Sequence, residues 1–321
     1  MKLRALGKTG IHVSEIGFGA WGIGGTVNGA VAYGPVDRSE SVLALRYALD
    51  SGMNFFDTSD FYGFGESESV IGEAFYGLRS KVIIASKVGM IKDESNQNFD
   101  PTYIRSSIEK SLARLRTDYI DLYQLHSPPS TVLSHDHPAV TTLRALKNDG
   151  KIRAWGISAR TPTDASVAIA DVGAEVVQVN FNLVDQRANS TGVFKNAGES
   201  GCGVIVRTPL SFGFLTGKYS ASQKYAEQDH RSKWSMEQRA RWAEANRLFA
   251  ELLARQPEQT PAQFALRFCL SFSQVSTTIP GMLNRQHVEE NAIASRLGPL
   301  APDLLEIARS IYESNEFFVR L

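Results

Sequence analysis

The sequence is short of cysteine, of net charge and of long apolar runs, and each shortage removes a class of protein. Only Cys202 and Cys269 occur, far apart and without paired spacing, which argues against a disulfide framework or a zinc knuckle and reads as two reduced thiols in packed surroundings. Lysine plus arginine and aspartate plus glutamate each number 34, so the formal net charge is zero and nothing favours a nucleic-acid or acidic-membrane partner. No run approaches the roughly 18 apolar residues of a membrane span. The opening MKLRALGKTGIHV has no apolar signal core, so a cytoplasmic protein is expected. What is present is a chain of 321 residues, 43% hydrophobic and 21% charged, long enough to bury a large core in a single domain over 1–321 and suited to a small-molecule site.

Residues 54–76, NFFDTSDFYGFGESESVIGEAFY, organise the rest. A short apolar strand, Phe55 and Phe56, ends on Asp57; a loop follows to Gly65, and Ser67 opens a helix through Val70, Ile71, Ala74 and Phe75. A carboxylate at a strand's carboxyl end, with Tyr62 in the next loop, faces the crevice where parallel α/β folds bind ligands.

The same alternation recurs along the chain. Residues 1–16 suggest a hairpin about Lys8-Thr9-Gly10 that plugs one end of the fold. Ile16 to Gly22 match GxGxxG, but Gly24, Gly25, Gly29, Gly34 and Pro35 follow where a phosphate-binding helix would have to start, so a first strand and a loop are expected instead of a Rossmann fingerprint. Further strands are predicted at Val82–Lys87, Ile120–His126, Arg153–Ser158, Val176–Phe181, Gly203–Arg207 and Ser276–Gly281, with helices between them. Asp100-Pro101 and Thr260-Pro261 read as helix starts, Ser235 with Gln238 as a capping box for a helix to Leu253, and 208–235 as a long loop that is either a functional lid or disordered. A run through Leu304, Leu305, Ile307 and Ile311 predicts a terminal helix. Eight apolar strands separated by helices predict an α/β fold, a (β/α)8 TIM barrel with an N-terminal β-hairpin and extra C-terminal helices; an open doubly wound sheet is the competing arrangement.

The strand ends carry Trp21, Asp57, Lys87, His126, Ser158, Gln178, Arg207 and the turn Pro280-Gly281. Polar residues capping apolar strands are poorly explained by packing and well explained by one active face. Taken singly, Lys87 reads equally as a structural partner of Asp57, and His126 as a satisfied core histidine. Taken together with Tyr62, the lysinium is expected to be kept charged by Asp57, to pull the phenol pKa below about 10 and so to make Tyr62 a general acid, with His126 orienting a carbonyl. That set suits protonation of a carbonyl oxygen as hydride reaches the carbon. His135 and His137 flank Asp136 without a third ligand, so no metal is expected, and no GxSxG elbow supports hydrolysis.

With these residues in place, the chain resembles the aldo-keto reductase superfamily over nearly its whole length. The order Asp57, Tyr62, Lys87, His126 is similar to that family's catalytic tetrad, which implies Tyr62 as proton donor, Asp57 and Lys87 as its tuning pair, His126 as the orienting group and hydride from a nicotinamide. The resemblance implies cofactor contacts at Trp21, Asp57, Ser158, Gln178 and Arg207. It adds Pro209, Leu210, Ser211, Gly213, Leu215, Gly217 and Lys218 after the seventh strand, and Gly281, Asn284, Arg285, Glu290 and Asn291 around the adenosine. Trp21, Tyr62, Met90, Phe212 and Trp234 are expected to line the substrate pocket. Three positions depart from the family pattern: Ala159 follows the carboxamide serine where asparagine is usual, Arg207 stands where an aromatic often stacks, and Leu283 stands where a basic residue often meets the 2′-phosphate. NADP(H), with Arg285 substituting at the phosphate, is the expected cofactor and NAD(H) the alternative. The implied activity is reduction of an aldehyde, ketone or sugar; the rivals are an NAD-dependent sugar or alcohol dehydrogenase and a non-catalytic module like the potassium-channel β subunits.

Overall fold

A computed structural model of the protein describes residues 1–93 and 95–319. Strands β1 (Leu3–Ala5) and β2 (His12–Ser14) form an antiparallel hairpin. Next come β3 (Phe18–Gly19), β4 (Phe55–Asp57) and β5 (Ile83–Val88), then a two-stranded ribbon of β6 (Met90–Asp93) and β7 (Asn96–Gln97) that the sequence pattern did not reveal. The remaining strands are β8 (Ile120–His126), β9 (Ile152–Ser158), β10 (Val176–Asn180), β11 (Gly203–Arg207) and β12 (Val275–Thr278). Eight of these make one parallel sheet in the order β3-β4-β5-β8-β9-β10-β11-β12.

The sheet closes on itself between β12 and β3. Gly17 N donates to Thr278 O at 2.9 Å and Gly19 N to Pro280 O at 3.0 Å. A Cβ on Gly19 would lie 2.8 Å from the Ile279 carbonyl, so a glycine is required where the two backbones meet. The glycines that imitate a phosphate-binding fingerprint are thus spent, in part, on barrel closure. The result is the (β/α)8 barrel, not the open sheet.

Inside the barrel, Phe55, Ala85, Leu122, Ala154, Val176, Ile205 and Ile279 pack with Leu6, Ile11 and Val13 of the hairpin, which therefore plugs the amino-terminal end of the strands. Each fully buried aliphatic side chain of that plug contributes roughly 1.5–3 kcal/mol. A second, larger core lies between the strands and the surrounding helices.

Helices α1 (Arg38–Asp50), α2 (Glu66–Ala74), α3 (Pro101–Leu115), α4 (Pro138–Asn148) and α5 (Pro162–Ala170) follow successive strands. Their starts are written locally. The Asp100 carboxylate accepts from Thr102 N at 2.8 Å with Pro101 in the first turn, and Ile104, Ile108, Leu112 and Leu115 then form the buried stripe of α3. His137 caps α4 by accepting from Ala139 N at 3.1 Å. After α6 (Arg187–Ser190) and α7 (Val193–Ser200), α8 (Met236–Leu248) and α9 (Ala250–Ala254) replace the single helix expected to Leu253, because the chain kinks at Phe249 to bury its ring. Ser235 does accept from Gln238 N at 3.1 Å, but the Gln238 amide turns away to Phe317 O and Val319 N, so the reciprocal half of that box is absent. At α10 (Pro261–Leu270) the full box of Thr260 and Gln263 forms. Helices α11 (Arg285–Leu297) and α12 (Pro302–Glu313) complete the chain. No helix among the described residues is long and apolar enough to cross a membrane.

Candidate active site

At the carboxyl ends of the strands the inward side chains change from aliphatic to polar. β4 ends on Asp57, β8 on His126, β9 on Ser158 and β11 on Arg207, while β5 and β10 carry Lys87 and Gln178 near their ends. Tyr62 joins them from the β4–α2 loop. There Gly63 takes a φ of +59°, and a Cβ on it would sit 2.2 Å from Gly24 O, so the loops after β3 and β4 pass each other glycine to glycine and hold the phenol in place.

Lys87 is fully buried and donates from Nζ to Asp57 Oδ1 at 2.5 Å, to Thr58 O at 2.8 Å and to Tyr62 Oη at 3.2 Å. Gln178 Nε2 donates to the other Asp57 oxygen at 2.8 Å. His126 meets the Tyr62 ring edge-on, with centroids 5.9 Å apart, and its Nδ1 lies 3.2 Å from Ser59 Oγ. Arg207 spreads along the wall: Nε donates to Asn180 Oδ1 at 2.7 Å, Nη1 to Ser158 Oγ at 2.6 Å and Nη2 to Ala159 O at 2.8 Å.

The electrostatics follow from burial and from these contacts. Burial opposes the Lys87 charge, but Asp57 and then Tyr62 outweigh it and hold the ammonium pKa above 10.5. For Tyr62 the expected lowering does not appear. Burial raises the phenol first, Lys87 pulls it down and Asp57 pushes it back up, leaving it above 10.0, so the neutral, proton-bearing phenol is the resting form. The same burial that brings Lys87 beside the phenol also strips water from it, and that desolvation exceeds the pull of the cation. His126 is held well below 6.5 by burial and then by repulsion from Lys87 and Arg207, so its imidazole is neutral.

A cavity of about 870 Å³ opens over this group, at the upper end of the 300–1,000 Å³ common for ligand sites. Trp21, Asp57, Ser158, Gln178, Arg207, Pro209, Leu210, Gly213, Lys218, Gly281, Glu290 and Asn291 line it, as do Tyr62, His126, Met90, Phe212 and Trp234. Ser211, Leu215, Gly217, Asn284 and Arg285 do not. The turn Ser211–Thr216 faces Phe212 and Gly213 inward while Ser211 and Leu215 are buried beneath. Asn284 caps α11 by accepting from His287 N at 3.0 Å, and Arg285 points outward, bonded to Glu289 at 2.8 Å and lying over Tyr47.

Several lining residues carried no sequence signal. Asn180 lies two residues beyond Gln178 and Thr208 one beyond Arg207, and Tyr33, Arg160 and His287 lie in loops or early helix turns. His230 packs edge-on against Trp21, its ring centroid 4.9 Å away, and its backbone N donates to Ala32 O at 2.8 Å, tying the loop after β11 to the loop after β3 as a roof. Burial lowers its pKa to about 4, so this histidine too is neutral. Only the length of segment 208–235 hinted at such a role.

The lining runs from the phenol and imidazole past Ser158, Gln178 and Arg207 to the segment 281–291, where Lys218 and Glu290 pair at 3.7 Å. A closed parallel barrel with an extended cavity at the carboxyl ends of its strands, polar at its floor, is a barrel built to bind a ligand on that face. Residues 15–313 match the sequence model of the Aldo/keto reductase family, and the chain belongs to that family. It is 34% identical over 249 residues to the aldo-keto reductase YhdN of Bacillus subtilis, covering 76% of this chain and 72% of that one. It is 32% identical over 293 residues to the aldo-keto reductase yakc [NADP(+)] of Schizosaccharomyces pombe, covering 87% and 83%. The glycerol dehydrogenase of Gluconobacter oxydans superposes with a TM-score of 0.80 at 27% identity, over 99% of this chain and 97% of that chain. The protein is an oxidoreductase that transfers hydride between a nicotinamide cofactor and the carbonyl carbon of an aldehyde or ketone.

Proposed function

We propose that Tyr62 is the general acid of this reaction, with Lys87 and Asp57 as its electrostatic support and His126 as the group that orients the substrate carbonyl. The observation that carries the reading is the single cluster in which a buried ammonium reaches both Asp57 Oδ1 and Tyr62 Oη, at 2.5 and 3.2 Å. A phenol whose pKa lies above 10.0 keeps its proton until a substrate oxygen gains negative charge. The neighbouring ammonium then stabilises the phenolate that remains. A neutral His126 adds a second hydrogen bond without a competing charge. Trp21, Phe212, Met90 and Trp234 wall the substrate side with apolar surface, which favours an aldehyde, ketone or sugar carrying an apolar or stacking face.

The residues fit a nicotinamide dinucleotide. Ser158 Oγ and the Gln178 amide supply a donor and an acceptor side by side, 3.4 Å apart, as a carboxamide requires. The loop after β11 and the segment 281–291 form a continuous wall for the rest. Bound there, the nicotinamide supplies the hydride. For the finer choice we take NADP(H), with Arg285 exchanging Glu289 for the 2′-phosphate. That pair is exposed to solvent and so holds weakly, which makes the exchange easy. Fluorescence titration should show tighter NADPH than NADH binding; an equal or reversed ratio removes this inference. Leu283 on the cavity wall favours the second reading, an NAD-dependent dehydrogenase working toward oxidation.

The test of the main reading is Tyr62→Phe. Turnover should fall roughly 10²–10⁴-fold while cofactor affinity stays within about twofold, since the hydroxyl acts on the substrate. A variant with undiminished turnover would sink the assignment.

A further inference from the structure

The loop between β4 and α2 sets two polar side chains, Ser59 and Asp60, in series behind His126, and the chemistry above uses neither. Ser59 is buried, and its Oγ lies 3.2 Å from His126 Nδ1 and 3.3 Å from Asp60 Oδ1 while accepting the Phe61 N–H at 3.1 Å. A hydroxyl has one hydrogen, and with an amide already donating to this oxygen that hydrogen goes either to the imidazole or to the carboxyl. The neutral imidazole also has one proton. Which nitrogen bears it depends on which way Ser59 turns.

We propose that Asp60, acting through Ser59, sets the tautomer of His126 and thereby decides whether the other ring nitrogen offers a substrate oxygen a donor or an acceptor. The proposal rests on the reading of His126 as the group that meets that oxygen. When Asp60 is a carboxylate it draws the Ser59 hydrogen, because a hydroxyl bonds more strongly to an ionised acceptor. Nδ1–H then donates to Ser59 Oγ, and Nε2 presents a lone pair, the form that receives an alcohol O–H. When Asp60 is protonated, Ser59 donates to Nδ1 and Nε2–H becomes a donor, the form that polarises a carbonyl. Conversion takes one proton from solvent onto Asp60, while the imidazole keeps its single proton and changes the nitrogen that holds it.

The surroundings place this switch within a useful range. Asp60 is partly buried and faces Glu68 on α2, Arg114 and Tyr103 on α3, and Tyr123 on β8. Burial first, then the Glu68 charge, push its carboxyl up to about 8 against the pull of Arg114, Ser59 and the Phe61 amide. Arg114 cannot relieve it fully, being bonded to Glu68 through Nε at 2.7 Å. Around His126 stand Lys87, Arg207 and Tyr62. Lys87 and Tyr62 are shifted above 10.5 and 10.0 and His126 below 6.5, so a titration near 8 is not theirs.

Asp60 and Ser59 are positioning residues, and the test reads the tautomer directly. Nitrogen-15 NMR of the histidine-labelled, NADP⁺-loaded full chain, with His126 assigned by the signal lost in His126→Gln, should show Nε2–H at low pH and Nδ1–H at high pH, crossing near 8. Asp60→Asn should hold Nε2–H throughout, and Ser59→Ala should free the ring from the pH dependence. In parallel, kcat/KM for carbonyl reduction should fall by up to about tenfold per pH unit above the crossing in the wild type, and not in Asp60→Asn. A single tautomer across the whole range in the wild type, or a crossing that persists in Asp60→Asn, overturns the proposal. Undiminished turnover in His126→Gln alongside a normal crossing overturns its catalytic consequence and with it the reading of the site, a result distinct from a failed crossing.

Discussion

Replacing Lys87 by methionine separates chemistry from architecture at the centre of the barrel. Lys87 Nζ lies 3.2 Å from Tyr62 Oη, and at an effective dielectric of about 20 a unit charge at that distance favours the phenolate by about 5 kcal/mol. Asp57, 2.5 Å from the same ammonium, offsets part of this. Hydrogen bonds to charged groups are worth roughly 1.5–3 kcal/mol in mutational series, so about 3 kcal/mol is the loss to expect, or a proton transfer slowed about 150-fold. The same substitution damages the fold. It leaves Asp57 buried with the Gln178 amide, 2.8 Å from Oδ2, in place of a cation, and breaking a buried ion pair costs about 3–5 kcal/mol. In Asp57→Asn/Lys87→Met both charges are gone, and most of that stability should return. Denaturant midpoints and steady-state NADPH oxidation on one carbonyl substrate, measured for the wild type, Lys87→Met and the double variant, test this. The expected pattern is stability that recovers in the double variant while turnover stays at least about 100-fold down. Turnover that recovered with stability would refute the reasoning, because the ammonium would then serve the fold alone.

Other outcomes follow from the same electrostatics and packing. Because the folded-state pKa of His126 is depressed, the unfolded chain takes up a proton below 6.5 that the folded chain refuses, so this histidine destabilises the protein as pH falls through that value. Thermal unfolding should therefore show the wild type losing ground to His126→Gln between about pH 7 and 5, and parallel curves would contradict the assignment of a neutral buried ring. At the proposed cofactor end, Leu283→Arg adds a cation to the cavity wall and should raise the NADPH-to-NADH affinity ratio about tenfold; an unchanged ratio would place the 2′-phosphate elsewhere.

The sequence by itself determined the alternation of strands and helices, the caps at Asp100, Ser235 and Thr260, and the polar residues at the strand ends. These are written in local patterns: Asp100-Pro101 starts α3 through a bond between neighbours, and the aliphatic runs before Asp57, Lys87 and His126 need burial whatever surrounds them. It did not determine the kink at Phe249, the ribbon of β6 and β7, or the outward turn of Arg285, since each depends on partners distant in the chain or on competition between contacts. Only tertiary structure decided that Gly17 and Gly19 close a barrel, and that His230 roofs the cavity by reaching Ala32. The state of Tyr62 belongs to the same class. A neighbouring cation can be guessed from sequence order, but the water removed from the phenol is a property of the closed cavity, and that loss of hydration outweighs the cation.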